Sequence, residues 1–223
     1  DKIEQNMILP FSDEEEKIYV ANLAKVNEEL QQLYDIEGSD KMQILKMLTR
    51  LRQLCLEPRL VYDNIDQPSS KLKACMELIK TMQENKQKVL LFSSFTSALD
   101  LIAEECQKAG ITYYMLTGST NKEERRELVS RFQKDNTTLF LISLKAGGTG
   151  LNLTSAENVI HYDPWWNVSA QNQATDRAYR IGQKSNVQVF NLVMKDSVEE
   201  KIIEMQKRKK ELADMFVENN SGG

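Results

Sequence analysis

The chain is poor in the residues from which catalytic and metal centres are most often built. Its 223 residues contain one histidine, His161, and three cysteines, Cys55, Cys75 and Cys106. The cysteines are far apart, odd in number and without metal-ligand spacing, a pattern typical of reduced, partly buried thiols in an intracellular protein. A single histidine argues against a histidine-based metal site, and we expect no metal ligands in this chain.

Long hydrophobic runs and a signal-like beginning are missing too. No apolar stretch approaches the roughly 18 residues that span a bilayer, and the first residues are polar. The hydrophobic fraction of 41% and the charged fraction of 28% are those of a soluble globular protein. The sequence predicts an intracellular protein, cytoplasmic in a bacterium or nuclear in a eukaryote, with one core plus a small extension and no membrane partner.

An excess of positive charge is absent as well. The net charge is −4, whereas a self-sufficient DNA-binding domain is usually basic. One basic run lies at 207–210, but such runs are typical of solvated helix faces. Composition alone therefore does not support tight binding to nucleic acid.

The chain has no Gly-x-x-x-x-Gly-Lys-Ser/Thr phosphate loop, yet it carries a pair of arginines suited to phosphate. Arg177 and Arg180 lie in the segment 173–183, which reads as helical until Gly182. Residues at this spacing share one helix face, with Cβ atoms about 5–6 Å apart. Two planar, permanently charged guanidinium groups on one face suit phosphate oxygens. An arginine pair without a phosphate loop indicates half of a two-lobed nucleotide machine.

Residues 1–70 show helical periodicity and little else. Ser12 and Glu15 form a capping box at the start of a first helix, and a second helix ends before Pro58. We predict a helical extension over 1–70, joined by a short linker to a separate domain over 71–223.

From Lys71 onward, helices alternate with short apolar strands. The helical periods cover 70–84, 97–108, 121–133 and 197–217, and the apolar strands cover 89–92, 113–116, 139–142, 158–162 and 187–193. Capping boxes of Thr120 with Glu123 and of Ser197 with Glu200 open the last two helices. This alternation predicts an α/β fold with a mainly parallel sheet and helices on both faces.

Loops at the carboxyl ends of the strands are the expected ligand sites of such a sheet. Four of them are candidates, at 93–96, 117–120, 143–150 and 163–167. Three of the four are rich in small hydroxyl residues, glycine or both, and backbone amides in such loops bind anions well. We therefore expect a binding surface at this edge.

The loop 143–150 is the strongest candidate for a phosphate-binding loop among these four. Its glycines at 147, 148 and 150 would let the backbone approach a phosphate closely, and Lys145 adds a charge. A tight strand-to-helix turn that needs positive φ is the alternative interpretation. In the last loop, Trp165 and Trp166 are more typical of core or interface anchors than of base-stacking platforms.

Five motifs follow one another in an order that is similar to one protein family. They are Val89-Leu-Leu-Phe-Ser-Ser-Phe, Leu116-Thr-Gly-Ser-Thr, Leu144-Lys-Ala-Gly-Gly-Thr-Gly-Leu-Asn-Leu, Asp163-Pro-Trp-Trp-Asn and the segment 173–183. The chain resembles the second RecA-like lobe of a Swi/Snf-type ATPase, a branch of helicase superfamily two. Ile8-Leu-Pro-Phe-Ser and Leu48-Thr-Arg-Leu-Arg-Gln-Leu-Cys resemble the connector and helical protrusion before that lobe. The chain departs from the family at Ser94, where glutamine is common.

The resemblance implies roles for particular residues. Arg177 and Arg180 would reach ATP phosphates bound by another lobe, with Arg180 the better candidate for an arginine finger. The residues that would support this cleft are Gly150, Gln173 and Asp176. The residues that would contact DNA phosphates are Ser93, Thr117, Gly118, Lys145, Ala146, Gly147 and Gly148. Such contacts position a duplex without reading its sequence, and backbone amides among them explain how an acidic domain could grip DNA.

The resemblance also implies ATP-driven movement along double-stranded DNA by two lobes, of which this chain is the C-terminal one. ATP and Mg²⁺ would be held mainly by the N-terminal RecA-like lobe, so we expect the isolated chain to be inactive. A DNA-bound protein is a further expected partner. Two alternatives stay open: a binding module that kept the lobe without the motor, and an RNA-directed motor of the same superfamily.

Overall fold

The computed structural model describes residues 1–34, 41–146, 151–178, 183 and 186–221. Its strands are β1 (Lys2–Leu9), β2 (Val89–Ser93), β3 (Tyr113–Leu116), β4 (Leu139–Ser143), β5 (Asn158–His161) and β6 (Val187–Met194). Its helices are α1 (Asp13–Tyr34), α2 (Lys41–Leu56), α3 (Ser70–Glu84), α4 (Thr96–Ala109), α5 (Lys122–Lys134), α6 (Val168–Thr175) and α7 (Val198–Ser221). None of these described helices is long and apolar enough to cross a membrane.

The strands form one parallel sheet in the order β1-β6-β5-β2-β4-β3. Successive side chains of a strand point to opposite faces, so each central strand feeds two hydrophobic cores. On β2, Val89 and Leu91 join the core formed with α1–α4 and α7, while Leu90 and Phe92 join the core formed with α5 and α6. Burial on both faces explains why these strands read as continuous apolar runs. The predicted α/β fold, with helices on both faces of a parallel sheet, is confirmed.

Strand β1 was not expected, because 1–70 shows mainly helical periodicity. It pairs in parallel with β6, from Lys2 opposite Val187 to Leu9 opposite Met194. Most of its side chains are exposed, as at a sheet edge, so its sequence is too polar to stand out as a strand. Helices α1 and α2 also contribute to the same core as α3 and α4. The domain boundary at residue 70 stays a prediction.

The ends of the helices follow the predicted caps in part. At α1 the capping box is confirmed, since the Glu15 N–H donates to Ser12 Oγ (3.3 Å) and the Ser12 N–H donates to Glu15 Oε1 (3.1 Å). At α5 the predicted box with Thr120 is wrong by one residue. The cap is Asn121, whose side-chain oxygen accepts from a backbone N–H of the first turn at 2.9 Å. Thr120 instead closes the preceding turn by accepting the Thr117 N–H.

At α7 the expected box is only half formed. The Ser197 hydroxyl accepts the Glu199 N–H (3.1 Å), but the Glu200 carboxylate accepts the N–H of Asp196 rather than that of Ser197. The N–H of the first helical residue donates to the hydroxyl of Tyr19 on α1 at 2.8 Å. A side chain from a distant helix therefore completes this cap, which a local pattern cannot show.

A buried ion pair ties α3 to α7 across the end of the sheet. Lys71 Nζ lies 2.7 Å from Glu199 Oε1 and donates to the Tyr162 carbonyl oxygen at 2.8 Å. Glu199 also accepts the Met194 N–H at 2.9 Å. Both charged side chains are almost fully buried, so each depends on the other for compensation.

Candidate functional site

The parallel register brings the predicted loops to one edge of the sheet. Ser93 at the end of β2 lies beside Ser143 at the end of β4, and Phe92 lies beside His161 at the end of β5. The segments after these strands, and after β3, therefore share the carboxyl edge, as expected for a parallel sheet. This edge is the candidate functional site.

Asp163 is the buried centre of a group of side chains at this edge, which we call the Asp163 cluster: Arg52, Ser93, Ser94, Phe95 and Asp163. Ser93 Oγ donates to Asp163 Oδ1 at 2.6 Å, and the Ser94 N–H donates to the same oxygen at 3.2 Å. The Ser94 hydroxyl donates to Oδ2. Arg52 Nη2 lies 3.4 Å from Oδ2 and donates to Ser94 Oγ at 2.9 Å. The cluster joins α2 to the loops after β2 and β5.

The Asp163 cluster bears on the DNA contact that we predicted for Ser93. The residue is fully buried and its hydroxyl is engaged by Asp163. The role of Ser93 at DNA stays a prediction. Sequence reasoning missed Arg52 and Asp163 as partners of this loop, although both lie in motifs that stood out.

The turn after β3 presents its residues to solvent. Thr117 is half-buried, and Gly118 is exposed with nothing within 4 Å of an added Cβ. The Thr117 carbonyl oxygen accepts the Thr120 N–H at 3.1 Å, which closes the turn. The turn is accessible to a large anionic ligand, as its predicted role requires.

After β4, the chain forms a short 3-10 turn over Leu144–Ala146. Lys145 is exposed on this turn, whereas Ala146 is buried. The predicted residues Gly147, Gly148 and Gly150 lie outside the described part of the chain. Of the glycine-rich loop, only its charged entrance is therefore placed by the structure.

The predicted helix through the arginine segment is wrong for the described residues 176–178, since the helix reaches only to Thr175. Helix α6 ends there, capped by Asp176, and 176–178 form a turn. Gln173 and Asp176 are exposed, whereas Arg177 is only 4% exposed. The Arg177 carbonyl oxygen accepts the Leu153 N–H at 3.0 Å, which joins this turn to the segment after the glycine-rich loop. Arg180 lies outside the described residues.

His161 explains how the end of α6 is held, and sequence reasoning assigned it no role. Its ring stacks on Phe92, with centroids 5.6 Å apart, and its Nε2 lies 2.9 Å from Thr175 Oγ1. Because Thr175 donates to the Gln171 carbonyl oxygen, its hydroxyl is free to accept from Nε2–H. Burial, with a smaller contribution from Lys2, lowers the pKa of His161 to about 3. The ring is therefore neutral at physiological pH.

The two tryptophans follow the Asp163 cluster on the same segment. Trp165 packs against the core of the α5–α6 face, which agrees with its interpretation as an anchor. The backbone N–H of Trp165 donates to Gln171 Oε1 at 3.2 Å, and its backbone carbonyl oxygen accepts from the side-chain amide of Gln206 on α7. Trp166 is half-buried and lines a cavity of about 740 Å³ with Lys209 and other residues of α6, α7 and β1.

Among the described residues, no group of three or more His, Cys, Asp or Glu side chains could hold a metal ion. The strong polar groups of the carboxyl edge are engaged with one another, as in the Asp163 cluster. Within the described part of the chain, this edge therefore offers backbone amides, hydroxyls and Lys145 rather than a carboxylate cage.

Comparisons with known proteins give one consistent family. Residues 70–182 match the model of the helicase conserved C-terminal domain. A putative ATP-dependent helicase/translocase of Bacillus subtilis is 36% identical over 228 residues, covering 99% of this chain and 24% of that protein. The yeast ISWI chromatin-remodeling complex ATPase ISW1 is 33% identical over 234 residues, covering 98% and 20%. The chain thus spans about a fifth to a quarter of these relatives' length.

Solved structures with the same fold include parts of Swi/Snf-type ATPases. The C-terminal part of the Fun30 ATPase domain matches with a TM-score of 0.80 and 25% identity, covering 92% of this chain and 88% of that one. The Sulfolobus solfataricus SWI2/SNF2 ATPase core in complex with double-stranded DNA matches with a TM-score of 0.78 and 32% identity, covering 95% and 45%.

Proposed function

This chain belongs to the helicase conserved C-terminal domain family and is the C-terminal lobe of a Swi/Snf-type ATPase, and on that premise we propose that it is half of a DNA-translocating motor. The relatives that it matches are named as ATP-dependent helicases or ATPases and are about four to five times as long. The whole protein would couple ATP hydrolysis to movement on double-stranded DNA.

The observation that carries the proposal is the meeting of three loops at one edge of the sheet. The segments after β2, β3 and β4 present hydroxyls, backbone amides and Lys145 on the same side. Contacts of this kind suit a phosphate backbone, and their sequence independence suits a motor that has to move along DNA. We assign the DNA contacts to Thr117, Gly118, Lys145 and Ala146, together with Gly147 and Gly148. Ser93, whose buried hydroxyl donates to Asp163, would support this surface from beneath rather than through its hydroxyl.

The ATP site is proposed to be split between two lobes. Arg180 is assigned as the arginine finger, because the neighbouring Arg177 is only 4% exposed and suits a supporting role in the turn after α6. An arginine finger stabilises the charge that develops on the transferring phosphoryl group. Gln173 and Asp176, which are exposed beside Arg177, and Gly150 would support the same cleft.

ATP and Mg²⁺ are assigned to the N-terminal RecA-like lobe. Among the described residues of this chain, no cluster of carboxylates could hold a metal ion. This lobe would supply the finger and one DNA grip, and closure of the two lobes on ATP followed by opening would move the duplex. By itself the chain would not hydrolyse ATP. The motor would act inside the cell, on DNA or on a DNA-bound protein.

The test is the ATPase rate of the two-lobed parent protein with and without duplex DNA. We expect Arg180→Ala to lower the DNA-stimulated rate by about 10³–10⁵-fold, the range known for arginine fingers. Arg131→Ala is the matched control, since Arg131 is exposed on α5 and pairs with Glu127 of its own helix. Undiminished hydrolysis by Arg180→Ala would refute the finger assignment. A parent that hydrolyses no ATP would favour the binding module, and stimulation by RNA over DNA would favour the RNA motor.

A further inference from the structure

We propose that Arg52 is a positioning residue, which holds the segment 163–166 in place for the response to DNA. The proposal rests on the proposed function for its link to DNA, but its structural part concerns this lobe alone. Arg52 lies on α2, outside the residues that the family model matches, and it reaches the carboxyl edge of the sheet through the Asp163 cluster.

The geometry gives Arg52 three partners at the carboxyl edge. One nitrogen, Nη2, lies 3.4 Å from Asp163 Oδ2 and 2.9 Å from Ser94 Oγ. The guanidinium also lies over the ring of Phe95, with its central carbon 4.9 Å from the ring centroid. A stacked, planar guanidinium is held in both distance and orientation, which a lysine cannot reproduce.

Asp163 needs this cation because the carboxylate is only 1% exposed. Its other contacts come from hydroxyls and an N–H of Ser93 and Ser94, which carry no charge. Removing one partner of a buried ion pair leaves the other uncompensated. The position of Asp163 therefore depends on α2 as well as on the two loops that it joins.

Asp163 also begins the segment that carries both tryptophans. Gln171 and Gln206 hold the backbone of Trp165 by hydrogen bonds, and Asp163 holds the beginning of the same segment. A change in the position of α2 would pass through Arg52 to this segment and to the loop after β2. Helix α2 would thereby influence how the carboxyl edge receives DNA.

The first experiment uses the tryptophan fluorescence of this chain. Trp165 and Trp166 are its two tryptophans, so acrylamide quenching reports on this segment alone. We expect Arg52→Ala to increase quenching towards that of an exposed tryptophan and to lower Tm by about 5–10 °C. Arg50→Ala is the matched control, because Arg50 lies on the same helix and contacts Asn22 and Tyr62 instead. We expect it to leave the quenching at the wild-type level.

The double variant Arg52→Met/Asp163→Asn separates positioning from stability. It removes both charges, so Tm should return towards the wild-type value, while quenching stays raised because the guanidinium is gone. Compared with Arg52→Ala, Arg52→Lys should have a Tm closer to the wild-type value, while its tryptophan quenching should stay nearly as high. Wild-type quenching in Arg52→Ala, or recovery of both properties in the double variant, would overturn the proposal.

The second experiment measures the DNA concentration that gives half-maximal ATPase stimulation in the two-lobed parent. We expect it to rise about tenfold in Arg52→Ala and in the double variant, equivalent to about 1.4 kcal/mol, and to stay unchanged in Arg50→Ala. An unchanged value in the double variant would overturn the link to DNA. If the wild-type parent shows no stimulation, the proposed function fails, while the fluorescence result still decides the positioning role.

Discussion

His161 stands at the end of β5 with its imidazole buried, stacked on Phe92 and bonded to Thr175. A histidine in this environment stays neutral, because burial disfavours the charged form and lowers its pKa to about 3. The unfolded chain has the ordinary histidine pKa of about 6.5. Folding stability should therefore be fully present above pH 6.5 and decrease as the pH falls from there towards 3.

The free energy of unfolding should reveal this effect in a urea titration at two pH values. Between pH 7.5 and pH 5.5 we expect His161 to lower the free energy of unfolding of the wild-type chain by about 1.4 kcal/mol. The reason is that the unfolded state binds a proton that the folded state does not bind. In His161→Gln this part of the pH dependence should disappear, and acidic groups would account for what remains. Equal pH dependence in the two proteins would contradict the assignment.

Two glycines differ in what an added methyl group should do. Both have open space for an added Cβ, but Gly110 has φ +70° at the end of α4, in the left-handed region, whereas Gly118 has no such backbone constraint. We expect Gly110→Ala to lower the free energy of unfolding by about 1 kcal/mol and Gly118→Ala to leave it unchanged within about 0.5 kcal/mol. The same Gly118→Ala substitution in the parent should weaken DNA stimulation if this turn approaches phosphates closely.

Helices α3 and α7 are connected by the pair of Lys71 and Glu199, which lie far apart in sequence and are both buried. Burial raises the pKa of Glu199, and the adjacent Lys71 ammonium opposes that shift. The ammonium also donates to the carbonyl oxygens of Tyr162, directly after β5, and of Leu192, near the end of β6. The pair therefore fixes both helices against the same edge of the sheet.

Removing one member of this pair should be far more harmful than removing both. We expect Lys71→Met to lower the free energy of unfolding by about 3–5 kcal/mol, because it leaves a buried carboxylate without its cation. The double variant Lys71→Met/Glu199→Leu should recover much of that loss. Chemical denaturation of the three proteins measures the difference. A double variant less stable than Lys71→Met would show that the pair contributes more than mutual compensation.

Helix α6 and strand β1 illustrate what local patterns leave open. The periodicity of 173–183 continues past the real end of α6, where Asp176 caps the helix and the chain turns. Strand β1 is polar and mostly exposed, and it becomes a strand by pairing with β6. For β1, a contact with a distant part of the chain overrides the local preference.

The net charge of −4 constrains how the whole lobe can bind DNA. The proposed grip of this net acidic lobe depends on backbone amides, hydroxyls and a few cations rather than on a broad lysine patch. Binding through few ionic contacts releases few counterions and depends weakly on salt. Lys145, exposed at the carboxyl edge, is the described cation that we place in this grip.

Lys145→Ala should change the salt dependence of DNA binding by the two-lobed parent. The slope of log K against log salt should become shallower by about 0.9, the effect of one lost phosphate contact. Lys108→Ala is the control, since Lys108 lies at the end of α4 and pairs with Glu105. An unchanged slope in Lys145→Ala, or an equal change in Lys108→Ala, would remove Lys145 from the DNA contacts.

Much of the lobe could be predicted from the sequence, because its signals are local. The helix over Ser70–Glu84 and the strand over Tyr113–Leu116 were predicted with the bounds that the structure has, since helical periodicity indicates the first and a short apolar run the second. The motif order also indicated the family, which the helicase C-terminal domain match over 70–182 confirms. Arg180 and the glycines at 147, 148 and 150 stay predictions from that resemblance.

By itself the sequence determined the alternation of helices and buried strands, and with it a parallel sheet with its loops at one edge. Only the tertiary structure decided that β1 joins this sheet, that Ser93 points its hydroxyl at Asp163, and that Arg52 reaches the same carboxylate across 111 residues. The physical reason is that periodicity records which face of an element is buried. The partner of a buried charge depends on which distant side chain the completed fold brings within hydrogen-bond distance.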